Sequence, residues 1–241
     1  MAGEWMDKST LDYSNFERLP IPQPVDRLSY IAEVCRGKIV LDIGCLDETA
    51  LVKQDSPYWL HRRISRMAKR VIGVDNSRLV PEEGITTGPN SRIMRGDATN
   101  RDVLGSDAEK IDVIVAGEFI EHIEDPSAFL RIMKKSFDGK TLILSTPNGM
   151  SLSNSLMGLF RREVQHPDHL HNFTFKTLNT LCMRAEFRHW KIIPYRFFAT
   201  EMILRTTGLV RVAARCAEFT FRLGERLFPN LSFGYIVHVE I

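Results

Sequence analysis

The sequence predicts an α/β protein built on a doubly wound, mostly parallel sheet with an antiparallel last strand. Three observations carry that expectation. Short β-branched apolar runs recur at 39–43, 71–75, 111–116 and 141–145. Helix-like segments lie between them, so strand and helix alternate. Each run is apolar at consecutive positions rather than alternate ones, the pattern of strands buried on both faces.

Residues 1–37 open as a polar lead in which Pro20, Pro22 and Pro24 forbid helix, followed by a short helix over 25–35. The runs 39–43 and 71–75 flank a helical pattern over 49–69, and a weaker strand at 92–95 ends at Gly96-Asp97. A helix over 126–137 joins the runs 111–116 and 141–145. Beyond Thr146-Pro147-Asn148 come a polar loop, a helix over 176–185, a strand over 188–195, a helical stretch over 197–228 and a final strand over 234–241. The expected organisation is one domain: a lead and helix (1–37), a core (38–148), a loop, helix and strand (149–196), a helical insert acting as lid (197–230) and the last strand (231–241).

With 241 residues, 44% hydrophobic and 26% charged, the chain can bury a sizeable core, which excludes disordered, collagen-like and coiled-coil classes. A formal net charge of +2 is too small for a dedicated nucleic-acid binder. Cys35, Cys45, Cys182 and Cys216 are dispersed and form no CxxC pair, which fits a reducing, cytoplasmic setting and gives no zinc-ligand spacing. Residues 1–10 lack the apolar core of a secretory signal, and no uncharged apolar run approaches the roughly 18 residues that span a bilayer. A soluble chain is expected, with peripheral membrane contact left open.

Ligands of open parallel sheets bind beyond the carboxyl ends of the strands, so the run ends are the informative positions. The first ends Val40-Leu41-Asp42-Ile43-Gly44-Cys45, an acid and then a glycine where a ligand can approach backbone closely. The second ends at Asp75, where a ribose would present two hydroxyls, and the weaker strand ends at Asp97-Ala98. Capping of turns and helix starts explains any one of these aspartates alone. Three in succession outline a nucleoside pocket.

Two further stretches, Ile111-Asp112-Val113-Ile114-Val115-Ala116-Gly117-Glu118-Phe119-Ile120-Glu121-His122-Ile123-Glu124-Asp125-Pro126 and Leu144-Ser145-Thr146-Pro147-Asn148, complete a resemblance. Over about residues 25–187, with the final strand, the chain resembles the Rossmann-like class I S-adenosylmethionine-dependent methyltransferases, and the longer stretch resembles their ubiquinone-biosynthesis O-methyltransferase branch. The resemblance implies S-adenosyl-L-methionine as cofactor. Asp42 and Gly44 would border its methionine moiety, Asp75 its ribose, and Asp97 with Ala98 its adenine; Cys45, Asn76 and Glu118 complete the implied cofactor set. A carboxylate that accepts both ribose hydroxyls makes bidentate, charge-assisted contacts. The family's usual first loop is Asp-x-Gly-x-Gly-x-Gly, whereas Leu46 and Glu48 stand at the later glycine positions here. Trp59-Leu60-His61, inside a long gap between Asp42 and Asp75, is similar to a bacterial subgroup linked to cell-surface glycan or natural-product methylation.

Glu118-x-x-Glu121-His122 directly follows the run 111–116, and a helical turn there would set all three on one face. The loop His166-Pro167-Asp168-His169-Leu170-His171 returns over the same pocket mouth. Such glutamates and imidazoles can hold Mg²⁺ or Mn²⁺. The terminal 2′-O-methyltransferases of small RNAs look similar at these positions, and that resemblance implies Glu118, Glu121, His122 and His169 as metal ligands. Without metal, His122 or His169 serves as general base on a hydroxyl, with Glu118 near the cofactor's amino-acid end, and methyl transfer also runs on proximity and orientation alone.

In the insert, Val212, Cys216, Phe219 and Leu223 form an apolar stripe at i, i+4, i+7 and i+11, with Arg211, Arg215, Arg222 and Arg226 beside it. Residues 184–226 carry nine basic against four acidic side chains. Either the helix packs by its apolar stripe with the arginines solvated alongside, or the two stripes face an anionic substrate or membrane surface. The expected function is methyl transfer to an oxygen of a small-molecule or glycan substrate. RNA ribose 2′-O-methylation and a non-catalytic binding module are the alternatives, nucleic acid being disfavoured by charge. The exposed part of the insert offers a surface for a homodimer.

Overall fold

The computed structural model describes residues 11–14, 16–46, 56, 58–97 and 99–241. Eight strands form one sheet: β1 (Ile39–Ile43), β2 (Arg70–Asp75), β3 (Ile85–Gly88), β4 (Ser91–Arg95), β5 (Val113–Gly117), β6 (Thr141–Pro147), β7 (His189–Tyr195) and β8 (Gly234–Glu240). Their spatial order is β3-β4-β2-β1-β5-β6-β8-β7. The inner strands β4, β2, β1, β5 and β6 run parallel, and the last strand, β8, lies antiparallel between β6 and β7. The order reverses at β1, which pairs with β2 on one side and β5 on the other, so a crevice opens beyond the carboxyl ends of these strands.

Alternate residues of each inner strand feed two cores. Val40, Val71, Val113 and Val115 pack with Ile31 of α1 (Arg27–Val34) and Ile64 of α2 (Leu60–Ser65). Leu41, Ile72, Ile114 and Leu142 pack on the other face with Phe129, Leu130 and Met133 of α3 (Pro126–Ser136) and with Phe175 and Leu178 of a later helix, Phe175–Arg184. Both faces are covered, which explains the unbroken apolar runs. The helix starts carry their own stops: Asp26 accepts from Ser29 N at 2.8 Å, and Asp125, followed by Pro126 in the first turn, accepts from Ala128 N at 2.8 Å. Pro194 sits in the edge strand β7, where its missing donor is tolerated, and its carbonyl accepts from Val25 N at 3.0 Å.

The expectations need four corrections. The strand β3 was not expected; it is a short hairpin partner of β4. The loop after β6 contains a helix, α4 (Leu152–Leu159), followed by α5 (Phe175–Arg184). Of the helix expected over 49–69 only α2 is seen, ending at Ser65, while 49–55 and 57 lie outside the described residues. The stripe of the insert does not pack on the core: of the insert's helices, α6 (Thr200–Arg205) and α7 (Gly208–Leu227), the latter buries Ala214 and Glu225 and leaves Val212, Cys216, Phe219 and Leu223 exposed. No helix among the described residues is long and apolar enough to cross a membrane. All four cysteines are free thiols.

One link between helix and sheet sets a pH dependence. The Tyr30 hydroxyl of α1 meets His238 Nδ1 of β8 at 2.8 Å, and burial, with Lys191 nearby, depresses the His238 pKa from 6.5 to about 4. A depressed imidazole pKa favours folding above the unfolded value, and that contribution is lost as pH falls from about 6.5 toward 4. Chemical denaturation is expected to show a loss of up to about 3 kcal/mol over that window, flattened in His238→Gln.

Candidate active site

A cavity of about 1750 Å³ opens at the carboxyl ends of the central strands. Asp42, Gly44, Cys45, Asp75, Asn76, Asp97, Glu118, His122 and His169 all line it, as do Arg215, Glu218, Phe219 and Arg222 of α7. Ala98 and Glu48 lie outside the described residues.

Gly44 turns the chain out of β1 with φ +63°, and its N–H donates to Val74 O at 2.9 Å. A Cβ there would lie 2.6 Å from Phe119 Cδ2. Gly44→Ala is therefore expected to lower unfolding free energy by about 1–2 kcal/mol for the left-handed backbone alone, and by more if Phe119 must move, as denaturant titration would show. Leu46, at a position where the family's loop usually has glycine, has its N–H fixed by Asp75 Oδ2 at 2.9 Å, and Asp75 Oδ1 accepts from Ser77 N at 2.8 Å. Both oxygens are thereby held in one orientation at the cavity wall. Asp97 closes its own turn, its Oδ1 accepting from Thr99 N and Oγ1 at 2.8 and 2.7 Å.

Asp42 is 1% exposed, and its Oδ2 meets His61 Nδ1 at 2.9 Å. On its other side His61 Nε2 meets Thr87 Oγ1 of β3 at 2.8 Å, and Thr87 donates on to Ser91 at 2.9 Å. His61 received no role from the sequence, although Trp59-Leu60-His61 stood out there. It joins α2 to the hairpin and locks the acid at the end of β1 in one orientation. Trp59 packs its ring 5.1 Å from the imidazole and donates from Nε1 to Cys45 O at 2.8 Å, bracing the loop after β1.

Glu118 and its neighbours form a turn rather than the helical turn expected. Glu118 has φ +54°, a strained value for a non-glycine residue, while its N–H donates to Ser145 O at 2.8 Å. Its carboxylate accepts from Tyr195 Oη at 2.8 Å, with Arg27 Nε at 3.6 Å; Arg27 also donates to Ser145 Oγ at 2.8 Å. Burial and the Glu118 charge raise the Tyr195 pKa well above its ordinary value, so the phenol stays a donor. Arg27 and Tyr195 were missed by sequence reasoning, because nothing local to either residue marks a partner so far away in the chain.

Of the four ligands implied by resemblance, Glu121, His122 and His169 converge: one donor atom from each lies within 4.8 Å of the others. Glu118 stands outside that group, held by Tyr195 and Arg27. The carbonyl of Glu121 accepts from Leu170 N and His171 N at 2.8 and 3.2 Å, which ties the 166–171 loop to the turn. The His122 ring centroid lies 4.6 Å from that of His169 and 6.0 Å from that of His166, so His166 joins the cluster. Glu121 is 1% exposed, yet among the described residues neither of its carboxylate oxygens meets a partner in hydrogen-bond geometry, nor does the buried Nδ1 of His169, and the neighbouring Thr146 hydroxyl is likewise unpartnered. Burial, reinforced by the Glu118 charge, pushes the Glu121 pKa up to about 8. Burial, then His122 and His166, lowers that of His169, keeping the imidazole neutral at neutral pH. An orphaned buried carboxylate beside two imidazoles is a donor set that fits a divalent cation such as Mn²⁺ or Mg²⁺.

Residues 15–192 match the family model described as a methyltransferase domain. The chain belongs to the methyltransferase-domain family. No curated protein matches it. Among solved structures, this methyltransferase-domain protein is similar to a SAM-dependent methyltransferase from Archaeoglobus fulgidus, at 19% identity and TM-score 0.52, covering 89% of this chain and 91% of that one. An S-adenosylmethionine-dependent methyltransferase from Mesorhizobium loti is similar at 14% identity and TM-score 0.51, with 89% and 95% covered. The small RNA methyltransferase HEN1 is similar at 16% identity and TM-score 0.55, covering 89% of this chain but 24% of HEN1. At these identities the likeness is one of fold: a Rossmann-like, mostly parallel methyltransferase sheet.

Proposed function

We propose that this methyltransferase-domain protein transfers the methyl group of S-adenosyl-L-methionine to a hydroxyl oxygen of a small-molecule or glycan acceptor. The observation that carries the reading is one cavity lined by the strand-end acids Asp42, Asp75 and Asp97 on one side and by His122 and His169 on the other. The cofactor supplies an electrophilic methyl on a sulfonium. Asp75 accepts from the ribose hydroxyls, the exposed Asp97 meets the adenine, and the left-handed Gly44 lets the ligand approach the backbone. The resemblance of 111–126 to the ubiquinone-biosynthesis branch supports oxygen as the acceptor atom.

The acceptor hydroxyl must lose its proton as the bond to carbon forms. His169, neutral at neutral pH, is placed to take it, with His122 alongside. Glu121, His122 and His169 are the residues that would hold a divalent cation, and a cation there would polarise the hydroxyl oxygen and lower its pKa. Glu118 positions the turn through Tyr195 and Arg27 and presents its charge to the cavity.

A second reading, methylation of an RNA ribose 2′-hydroxyl, is favoured by the same Glu121/His122/His169 cluster together with the similarity to HEN1. A radiolabelled methyl-transfer assay separates them. The first reading expects label in hydroxylated aromatic or sugar acceptors and none in short RNA. Label in RNA alone would replace it by the second, and label in amine acceptors alone would contradict oxygen transfer.

A further inference from the structure

The acids of α7 turn inward, while an apolar stripe and the arginines Arg215 and Arg226 are exposed. Ala214 and Glu225 form its buried side, with both Glu225 oxygens accepting from Phe197 N at 3.0 and 2.9 Å, and Glu218 pairs with Arg222 and lines the cavity. On the opposite side Val212, Phe219, Leu223 and Leu227 are 57, 71, 52 and 67% exposed, at the spacing of one continuous helical stripe. Arg211, Arg215, Arg222 and Arg226 repeat along one flank of that stripe; Arg215 and Arg226 are exposed, while Arg211 donates to Thr206 O and Arg222 pairs with Glu218 and donates to Phe197 O. A Cβ on Gly224 would lie 2.8 Å from Leu152, so α4 packs against this helix, and it carries the exposed Leu156 and Leu159 followed by Phe160, Arg161 and Arg162. A soluble helix normally hides its apolar stripe in the core, so a face this apolar turned to solvent marks an interaction surface.

From this arrangement we propose that the outer face of α7, with the adjoining end of α4, docks on an anionic lipid surface. Charge complementarity decides the occupant. Apolar residues bordered by arginines on one side of a 20-residue helix match the acyl and phosphate layers of an anionic bilayer. A second copy of the chain offers no matching acid on this helix, because Glu218 and Glu225 are both committed inward. Phe219 and Arg215 belong to the exposed face and also line the cavity, so docking sets the cavity mouth at the headgroup layer, where an amphipathic acceptor enters without crossing water.

Vesicle co-sedimentation of the full chain without cofactor tests this independently of methyl transfer. Phosphatidylcholine vesicles are compared with vesicles of two parts phosphatidylcholine to one part phosphatidylglycerol. The chain is expected to bind the anionic vesicles at least about tenfold more tightly, with the difference shrinking in high salt. The triple variant Val212→Ser/Leu223→Ser/Leu227→Ser alters exposed side chains, so its unfolding midpoint should match wild type while its binding falls at least about tenfold. Arg226→Glu is expected to weaken anionic binding selectively. The proposal is overturned by no binding to anionic vesicles, by equal binding of the triple variant, or by a dimer in sedimentation velocity that the triple variant abolishes while vesicles are ignored.

Discussion

Asp75→Ala is expected to weaken binding of S-adenosylhomocysteine by at least about 100-fold. Two charge-assisted hydrogen bonds to ribose hydroxyls are lost, each worth about 1.5–3 kcal/mol. The same substitution frees Leu46 N and Ser77 N from their acceptors, so the loop after β1 loses its anchor as well. Asp75→Asn keeps one acceptor oxygen and should retain intermediate affinity, which separates loss of charge from loss of the anchor. Titration calorimetry of the three proteins checks the order. Equal affinity in all three would remove Asp75 from the ribose site.

Glu121→Gln is expected to abolish Mn²⁺ binding and to lower methyl transfer by about 100-fold or more. With its pKa pushed up to about 8, Glu121 is largely protonated at neutral pH, so the neutral amide is a close match for the metal-free state and the fold should be retained. In the native protein the carboxyl must give up that proton to bind a cation. Apparent Mn²⁺ affinity should therefore rise roughly tenfold per pH unit up to about pH 8 and level off above it. Calorimetry in buffers of different ionisation enthalpy would detect the released proton. Activity untouched by exhaustive chelation, in a protein that binds no Mn²⁺, would leave proton transfer to His169 alone.

What the sequence disclosed follows from burial. The strands β1, β2, β5 and β6 are covered on both faces, so Val, Ile and Leu fill consecutive positions and the runs stand out. The strand β3 reads Ile-Thr-Thr-Gly at the edge of the sheet, half-exposed and too polar to register. In α4 no residue is fully buried, which is why its Leu-Ser-Asn-Ser sequence passes for loop. The stripe on α7 was visible as a period, but a period does not say which side of a helix meets the core. Ala214 and Glu225, a small residue and an acid, occupy the buried side instead.

Within the site the strand-end acids were legible because their positions follow from topology. The partners that hold them were not: Asp42 meets His61 through α2, and Glu118 meets Tyr195 from an edge strand far along the chain. Such contacts depend on how helices and strands are set against one another. Glu118, Glu121 and His122 were expected on one face of a helical turn, with the 166–171 loop returning over them; the loop does return, onto the Glu121 carbonyl, but a turn with Glu118 in the left-handed region leaves Glu118 outside the group formed by Glu121, His122 and His169.

The most direct test of the account is calorimetric titration of S-adenosylhomocysteine into the purified native chain, with and without Mn²⁺. Saturable one-to-one binding, tightened or unchanged by Mn²⁺, is the predicted result. No detectable binding under either condition would contradict the cofactor pocket and leave the fold as a binding module without methyl transfer.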